Sequence, residues 1–154
     1  DYDVTGVQTC ALPISDALVN RGRARQKLGL WELAAEDFRE AIERDGKSAP
    51  AFREAAWLMA TCPDARYRNQ KLGLHAAKKA VELAAVDALT AQHLDTLAAA
   101  LANAGQFEEA QARQKQALQR ATAEEAPELQ RRLALYKGGE PYHEPLPTEA
   151  VQGR

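Results

Sequence analysis

The chain has 154 residues, a formal net charge of −2 at pH 7 and only 6% aromatic residues. Its charges form no block of one sign, which argues against a nucleic-acid-binding protein. No apolar run approaches the roughly 20 residues that a transmembrane helix needs. Alanine, leucine, glutamate and arginine are abundant and favour helix, whereas the scarcity of β-branched residues argues against a β-sandwich or barrel. The two cysteines, Cys10 and Cys62, do not make a disulfide framework.

The first residues, 1–14, show no helical periodicity and contain no lysine or arginine, which a signal peptide carries at its start. The stretch VTGVQTCALPIS, from Val4 to Ser15, resembles the conceptual translation of a sequencing-library adapter. We therefore expect residues 1–14 to be an assembly artefact that adds nothing to folding, with the native N-terminus missing.

From Ser15 onward the pattern is helical and repeats. Two stretches 76 residues apart place a leucine, then small residues 4 and 16 positions later: Leu18, Gly22 and Ala34 in one, Leu94, Ala98 and Ala110 in the other. Gly29 and Gly105 lie where a turn should separate two helices. A middle copy begins at Phe52, and its two helices are separated by an insertion from Cys62 to about Gln70, because Pro63 cannot continue a helix.

This spacing resembles the tetratricopeptide repeat (TPR), a helix–turn–helix unit of about 34 residues. The resemblance implies an all-α fold, a right-handed stack of helical hairpins in a TPR-like α-solenoid. The expected repeats span about 15–48, 49–90 and 91–122. The apolar stripe of Leu129, Leu133 and Tyr136 predicts a C-terminal capping helix at about 123–137, followed by an extended or disordered tail at 138–154.

The copies depart from the repeat pattern at several positions. Arg21 and Arg25 stand where the first copy would usually carry apolar or aromatic side chains, and Gln114 replaces an aromatic residue in the third. The arginines predict that the first repeat begins at an exposed or truncated edge.

The sequence carries no pattern typical of catalysis, phosphate binding or metal ligation. His75, His93 and His143 lie far apart, and neither GxxxxGK[ST] nor GxGxxG occurs. Cys62 has no histidine nearby in sequence, and only the closely following arginines could lower the pKa of its thiol. We therefore expect no enzymatic activity, no cofactor and no metal.

In TPR proteins the first helices of successive repeats line a concave groove that binds peptides. By repeat phase, the resemblance assigns to this groove Arg23, Gln26, Lys27, Arg53, Trp57 and Asn103, with Val19, Thr61, Asp95 and Ala99 beside them. Three cations and one aromatic platform would suit an acidic segment with a hydrophobic anchor. The alternative interpretation is an ordinary charged face, with Trp57 packed under the insertion. The lysine and asparagine of carboxylate-clamp repeats are absent, because Val19 and Arg23 occupy those positions.

The sequence thus predicts a non-catalytic module that binds a protein or peptide as a scaffold or adaptor. Three stretches also resemble C-terminal repeat arrays of large bacterial proteins: Trp57–Asp64, Leu94–Ala100, and Leu133–Tyr136 together with Pro141 and Tyr142. That resemblance implies an alternative function, a C-terminal regulatory or interaction module of a truncated larger enzyme such as a signalling kinase or protease. A stand-alone enzyme on a helical scaffold would require a convergent polar pocket. The partner, the oligomeric state and the compartment stay open.

Overall fold

The computed structural model describes residues 13–148, and this part of the chain contains seven α-helices and no strand. The all-α prediction is therefore confirmed. The helices are α1 Ile14–Lys27, α2 Trp31–Arg44, α3 Ala49–Thr61, α4 Gln70–Leu83, α5 Ala91–Asn103, α6 Phe107–Arg120 and α7 Ala126–Lys137. Short 3-10 turns at Ala65–Tyr67 and Val86–Ala88 lie in two of the connections. Most of the adapter-like segment, and the last six residues of the predicted tail, lie outside the described residues.

Consecutive helices pack against each other as pairs, α1 with α2, α3 with α4 and α5 with α6. The connections after α1 and α5 turn the chain back at Gly29 and Gly105, whose φ angles of 76° and 80° lie in the left-handed region. Glycine adopts this conformation without the steric cost that a Cβ imposes. The first helices of the pairs are also neighbours, because α3 contacts both α1 and α5. The last helix, α7, packs on α6.

Close approach within the first pair depends on Gly22. A Cβ built on Gly22 would lie 2.4 Å from Cε1 of Phe38, a side chain with no exposed surface. No carbon atom fits at that distance, so the two helices are this close only because the residue is glycine. Ala98 and Ala110 are likewise fully buried, in one cluster of the third pair.

Helix α5 forms the centre of the core. Every residue from Leu94 to Asn103 is buried, and α3, α4 and α6 all pack against this helix. A helix surrounded in this way is apolar or small on nearly all sides, which explains the alanine-rich sequence of α5. The largest apolar cluster extends from α5 to Tyr136 of α7, which has no exposed surface.

The two arginines of α1 that the sequence placed at an exposed edge hold a buried carboxylate. Nη2 of Arg21 lies 2.7 Å from Oδ1 of Asp37, and Nη1 of Arg25 lies 2.9 Å from Oδ2 of the same residue. The side chain of Asp37 is only 2% exposed, whereas that of Arg21 is 54% exposed. The arginines therefore replace apolar packing with a polar contact that joins α1 to α2.

The insertion between α3 and α4 is fastened to the end of α3. The Asn69 backbone N–H donates to the Met59 carbonyl at 2.9 Å, and Nη1 of Arg68 donates to the Cys62 carbonyl at 2.5 Å. No helix within residues 13–148 is both long enough and apolar enough to cross a membrane.

Candidate functional site

A groove of about 730 Å³ lies across α1 and α3 and reaches Gln92 near the start of α5. Its helical lining comes mainly from two clusters, Arg23, Gln26 and Lys27 on α1, and Arg53, Glu54 and Trp57 on α3. Residues three and four apart share one face of a helix, which is why each cluster points the same way. Five of the six residues predicted from the sequence thus lie together.

The remaining predicted residues lie elsewhere or act differently. Asn103 is buried at the end of α5 and does not line the groove. Val19 and Ala99 belong to the buried core, at 3% and 0% exposure. The Thr61 side chain is fully buried, and its hydroxyl donates to the Trp57 carbonyl at 2.8 Å. Asp95 is buried and takes part in a polar cluster described below.

Glu54 changes the electrostatics expected from the three cations of the groove. Its Oε1 accepts from Nε of Arg23 at 2.9 Å and from Nη2 of Arg53 at 2.5 Å, and the residue is buried. One carboxylate is therefore shared by two of the predicted cations. Lys27 is exposed, so its charge faces the solvent at the groove. The groove keeps a cationic excess, but a smaller one than the sequence predicted.

The C-terminal segment Pro141–Thr148 is neither helix nor strand, and its second half lines the groove. Its three prolines favour extended backbone at and before each of them. The backbone N–H of Glu144 donates to the Thr61 carbonyl at 2.7 Å. Further along, Pro147 reaches the turn between α1 and α2, where its Cγ would lie 3.2 Å from a Cβ built on Gly29. The segment therefore passes from the end of α3 to the end of α1.

Glu144 and Tyr142 supply the side-chain contacts of this segment. Nε1 of Trp57 donates to Oε1 of Glu144 at 3.0 Å, and the Tyr142 hydroxyl donates to Oε2 of the same carboxylate at 3.1 Å. The rings of Trp57 and Tyr142 have centroids 6.0 Å apart. Burial, and then the Glu144 charge, raise the pKa of Tyr142 above its ordinary value. The Trp57 platform predicted from the sequence is thus occupied by the chain's own aromatic and acidic residues.

Arg132 of α7 contacts both of these aromatic rings. Its guanidinium carbon lies 4.9 Å from the ring centre of Trp57 and 4.5 Å from that of Tyr142, both within cation–π range. Nη1 donates to Oδ2 of Asp95 at 2.6 Å. We call Trp57, Asp95, Arg132, Tyr142 and Glu144 the anchor cluster.

A fully buried glutamine supports the anchor cluster from α6. Nε2 of Gln114 donates to Oδ1 of Asp95 at 2.9 Å and to the Leu129 carbonyl at 3.1 Å. Burial raises the pKa of Asp95, while Arg132 and Gln114 oppose that shift. Gln114 is therefore the polar partner that a buried carboxylate requires, which accounts for its place in an otherwise apolar core.

The residues that the sequence reasoning missed are Glu54 and Glu144, which line the groove, and Arg132 and Tyr142, which contact Trp57 in the anchor cluster. A signal for Tyr142 and Glu144 was present, because an aromatic and an acidic residue stand between Pro141 and Pro145, a composition typical of peptide-recognition segments. No comparable signal joined Arg132 to the anchor cluster, because Asp95 lies 37 positions away and Trp57 lies further still.

The candidate nucleophile and the histidines show no catalytic arrangement. Cys62 is 1% exposed among Phe38, Leu58 and Ala34, and burial raises the pKa of its thiol. His75 is exposed on α4, and Nδ1 of His93 accepts from the Thr90 backbone at 3.2 Å at the start of α5. Among residues 13–148, no three His, Cys, Asp or Glu side chains stand close enough to hold a metal ion.

No protein-family model and no curated protein matches this sequence.

Proposed function

We propose that the chain is a non-catalytic, TPR-type repeat module that binds a protein or peptide as a scaffold or adaptor. The recurrent spacing of small residues supports this assignment, as does the packing of the helices in consecutive pairs. The neighbouring first helices α1 and α3 carry the groove, as expected for a stack of such repeats. The buried thiol of Cys62 and the scattered histidines favour binding over catalysis.

One observation carries the proposal: the chain's own segment around Glu144 lies in the groove and bonds to it through backbone and side chain, as a bound peptide would. It donates a backbone hydrogen bond to the Thr61 carbonyl, and its carboxylate accepts from the Trp57 indole. Both groove atoms belong to helix α3, which packs against α1, α2, α4 and α5. The groove therefore has a main-chain acceptor, an indole donor and an aromatic surface in place before any ligand arrives.

The charges of the groove favour an acidic ligand. The groove is lined by three cations, Arg23, Lys27 and Arg53, and by two carboxylates, Glu54 and Glu144, and this leaves one positive charge in excess. The site is open to solvent, where exposed charges are screened beyond about 8 Å at physiological ionic strength. We expect affinities in the micromolar range or weaker, about −8 kcal/mol at best, and a clear loss of affinity as salt is raised.

The test is a fluorescence-anisotropy titration of the full chain with a library of acidic octapeptides that each carry one aromatic residue. Lys27→Glu should weaken binding and flatten its salt dependence, because it reverses the exposed charge of the groove. The matched control is Lys78→Glu, which reverses an exposed charge on α4 that does not line the groove. This control should bind like the wild type.

Because the chain's own segment fills part of the groove, the same titration is run on the Glu144→Ala variant. The proposal fails if no library member binds either protein at millimolar concentration. It also fails if binding occurs but Lys27→Glu and Lys78→Glu alter it equally, since the binding surface would then lie elsewhere.

A further inference from the structure

The C-terminal segment is directed into the groove by the way α7 ends. Gly139 has a φ of +72°, and the Glu140 N–H donates to the Leu135 carbonyl at 3.0 Å. This left-handed C-cap stops the helix and reverses the chain. The short stretch 138–140 therefore tethers Pro141–Thr148 within reach of the groove at all times.

The segment is held at few points. Tyr142 and Glu144 are half-buried and contact Trp57 and Arg132, whereas every residue from Pro145 to Thr148 is exposed. Leu146, the one aliphatic side chain among them, is 67% exposed. A peptide anchored by two side chains and one backbone hydrogen bond is poised to leave when a competitor supplies the same groups.

Each contact of the docked segment is generic in its chemistry. The Thr61 carbonyl requires only a backbone N–H, the Trp57 indole N–H donates to a carboxylate oxygen, and the Arg132 guanidinium lies over the face of an aromatic ring. The relative positions of these three groups define a pattern, an aromatic residue followed two positions later by a carboxylate, in a segment that prolines keep extended.

We propose that residues 141–148 are an intramolecular competitor for the groove, and that its external ligand is a segment of the same pattern, aromatic-x-acidic-proline. This inference rests on the proposed function, and it specifies the ligand of that same groove. The ligand binds by displacing Tyr142 and Glu144 from the anchor cluster. The chain's own segment then sets a threshold that a weakly matching peptide does not pass.

The tether gives this competitor its strength. A segment joined by a short flexible linker acts at an effective concentration of the order of millimolar, so weak contacts suffice to keep it docked. The apparent affinity of an external ligand falls in proportion to the fraction of open groove, so a segment docked nine-tenths of the time weakens binding about tenfold.

The probe is a fluorescently labelled peptide of the chain's own segment, PYHEPLPT, added to three full-length proteins. In the first variant, Tyr142→Ala and Glu144→Ala remove the two anchoring side chains. In the matched control, Glu140→Ala and His143→Ala remove an acidic and an aromatic side chain that are exposed. We expect the probe to bind the first variant about tenfold more tightly than the wild type, and the control to match the wild type. Circular dichroism verifies that each variant is folded.

A second readout follows the Trp57 indole N–H by NMR, because that proton is bonded to Glu144. Its resonance should shift in the variant that lacks the anchors and should return toward the wild-type position when the probe saturates the groove. Equal affinity of the probe for all three proteins would overturn the competitor role. A dimer that depends on Glu144 would overturn it too, by assigning the segment to a second copy of the chain.

The peptide library separates this inference from the proposed function. If acidic octapeptides bind the anchor-less variant in a Lys27-dependent way but the probe does not, the proposed function stands and the ligand pattern is wrong. If neither the library nor the probe binds, both proposals fail. Probes with Tyr→Ala or Glu→Gln at the two anchor positions should lose most of their affinity if the pattern is right.

Discussion

Replacement of Gly22 by alanine tests the packing that brings α1 and α2 together. The new Cβ would lie 2.4 Å from Cε1 of Phe38, 2.9 Å from Cδ1 and 3.0 Å from Cζ. Carbon atoms that are not bonded normally stay about 3.5–4.0 Å apart. Phe38 has no exposed surface, so its ring cannot move aside into solvent without disturbing its neighbours. Either the ring leaves its rotamer or the two helices separate.

Two opposing effects set the magnitude. Alanine is favoured over glycine inside a helix by about 1 kcal/mol. Overpacking a well-filled core costs about 1–3 kcal/mol, and the short distance at Gly22 places this site near the upper end. We therefore expect a net loss of about 2 kcal/mol in the free energy of unfolding, or about 6 °C in Tm for a chain of this size.

Urea unfolding followed by circular dichroism measures this loss. The matched control is Gly73→Ala in α4, which gains the same helix propensity but meets its nearest neighbour, Cβ of Met59, at 3.2 Å. We expect the control to change stability by less than about 1 kcal/mol. Replacing the Phe38 ring by the smaller leucine side chain in the Gly22→Ala background should recover part of the lost free energy of unfolding, because residues 22 and 38 are in contact. A Gly22→Ala protein more stable than the wild type would refute the close approach of α1 and α2.

Three further predictions concern the core, the first helix pair and the C-terminal segment. Ala98→Leu should overpack the third helix pair and cost about 1–3 kcal/mol in urea unfolding, and a neutral result would contradict the burial of Ala98 against its partner helix. Asp37→Ala should cost about 1–3 kcal/mol, because it removes charged hydrogen bonds to Arg21 and Arg25; Asp37→Asn should lose less, and equal losses would show that charge plays no part. The pKa of Tyr142 is raised by burial, so its contribution to docking is complete below about pH 10 and disappears as the pH rises through the raised pKa. In a pH titration, the phenolate absorbance of the wild type minus that of Tyr142→Phe should therefore rise at a higher pH than for an ordinary tyrosine. A midpoint at the ordinary tyrosine pKa would contradict the docked position of Tyr142.

Local patterns were enough to predict an all-helical chain and part of its core, although Val19, Thr61 and Ala99 were assigned to the groove and are buried. The spacing of Gly22, Ala34 and Phe38 reports which faces touch, because small and large residues must alternate where two helices meet. Proline and glycine at the connections add the breaks, as at Pro63 and Gly29. The spacing also predicted that five residues share one face, and these five, Arg23, Gln26, Lys27, Arg53 and Trp57, line one groove.

The polar contacts could not be predicted in this way because they join residues far apart in sequence. Asp37 forms ion pairs with two arginines that lie 16 and 12 positions away. No periodic pattern in the sequence links an acidic residue to one particular distant basic residue. In the sequence, Gln114 stands only as a replacement for an aromatic residue, and its role as the hydrogen-bond donor to Asp95 is visible only in the structure. The contact between Trp57 and Glu144 spans 87 positions and involves a segment without any period, so only the folded chain reveals it.

The most direct test of the groove is hydrogen exchange at the backbone amide of Glu144, the donor to the Thr61 carbonyl. With the full chain alone, this amide should exchange at least about tenfold more slowly than an unstructured peptide, whereas that of Leu146 should not. Saturation with the free peptide PYHEPLPT should abolish the slow exchange of the Glu144 amide, because the peptide takes the place of the chain's own segment. Exchange at the unstructured rate before any peptide is added, or protection that persists at saturation, would contradict a groove that binds peptides of this pattern.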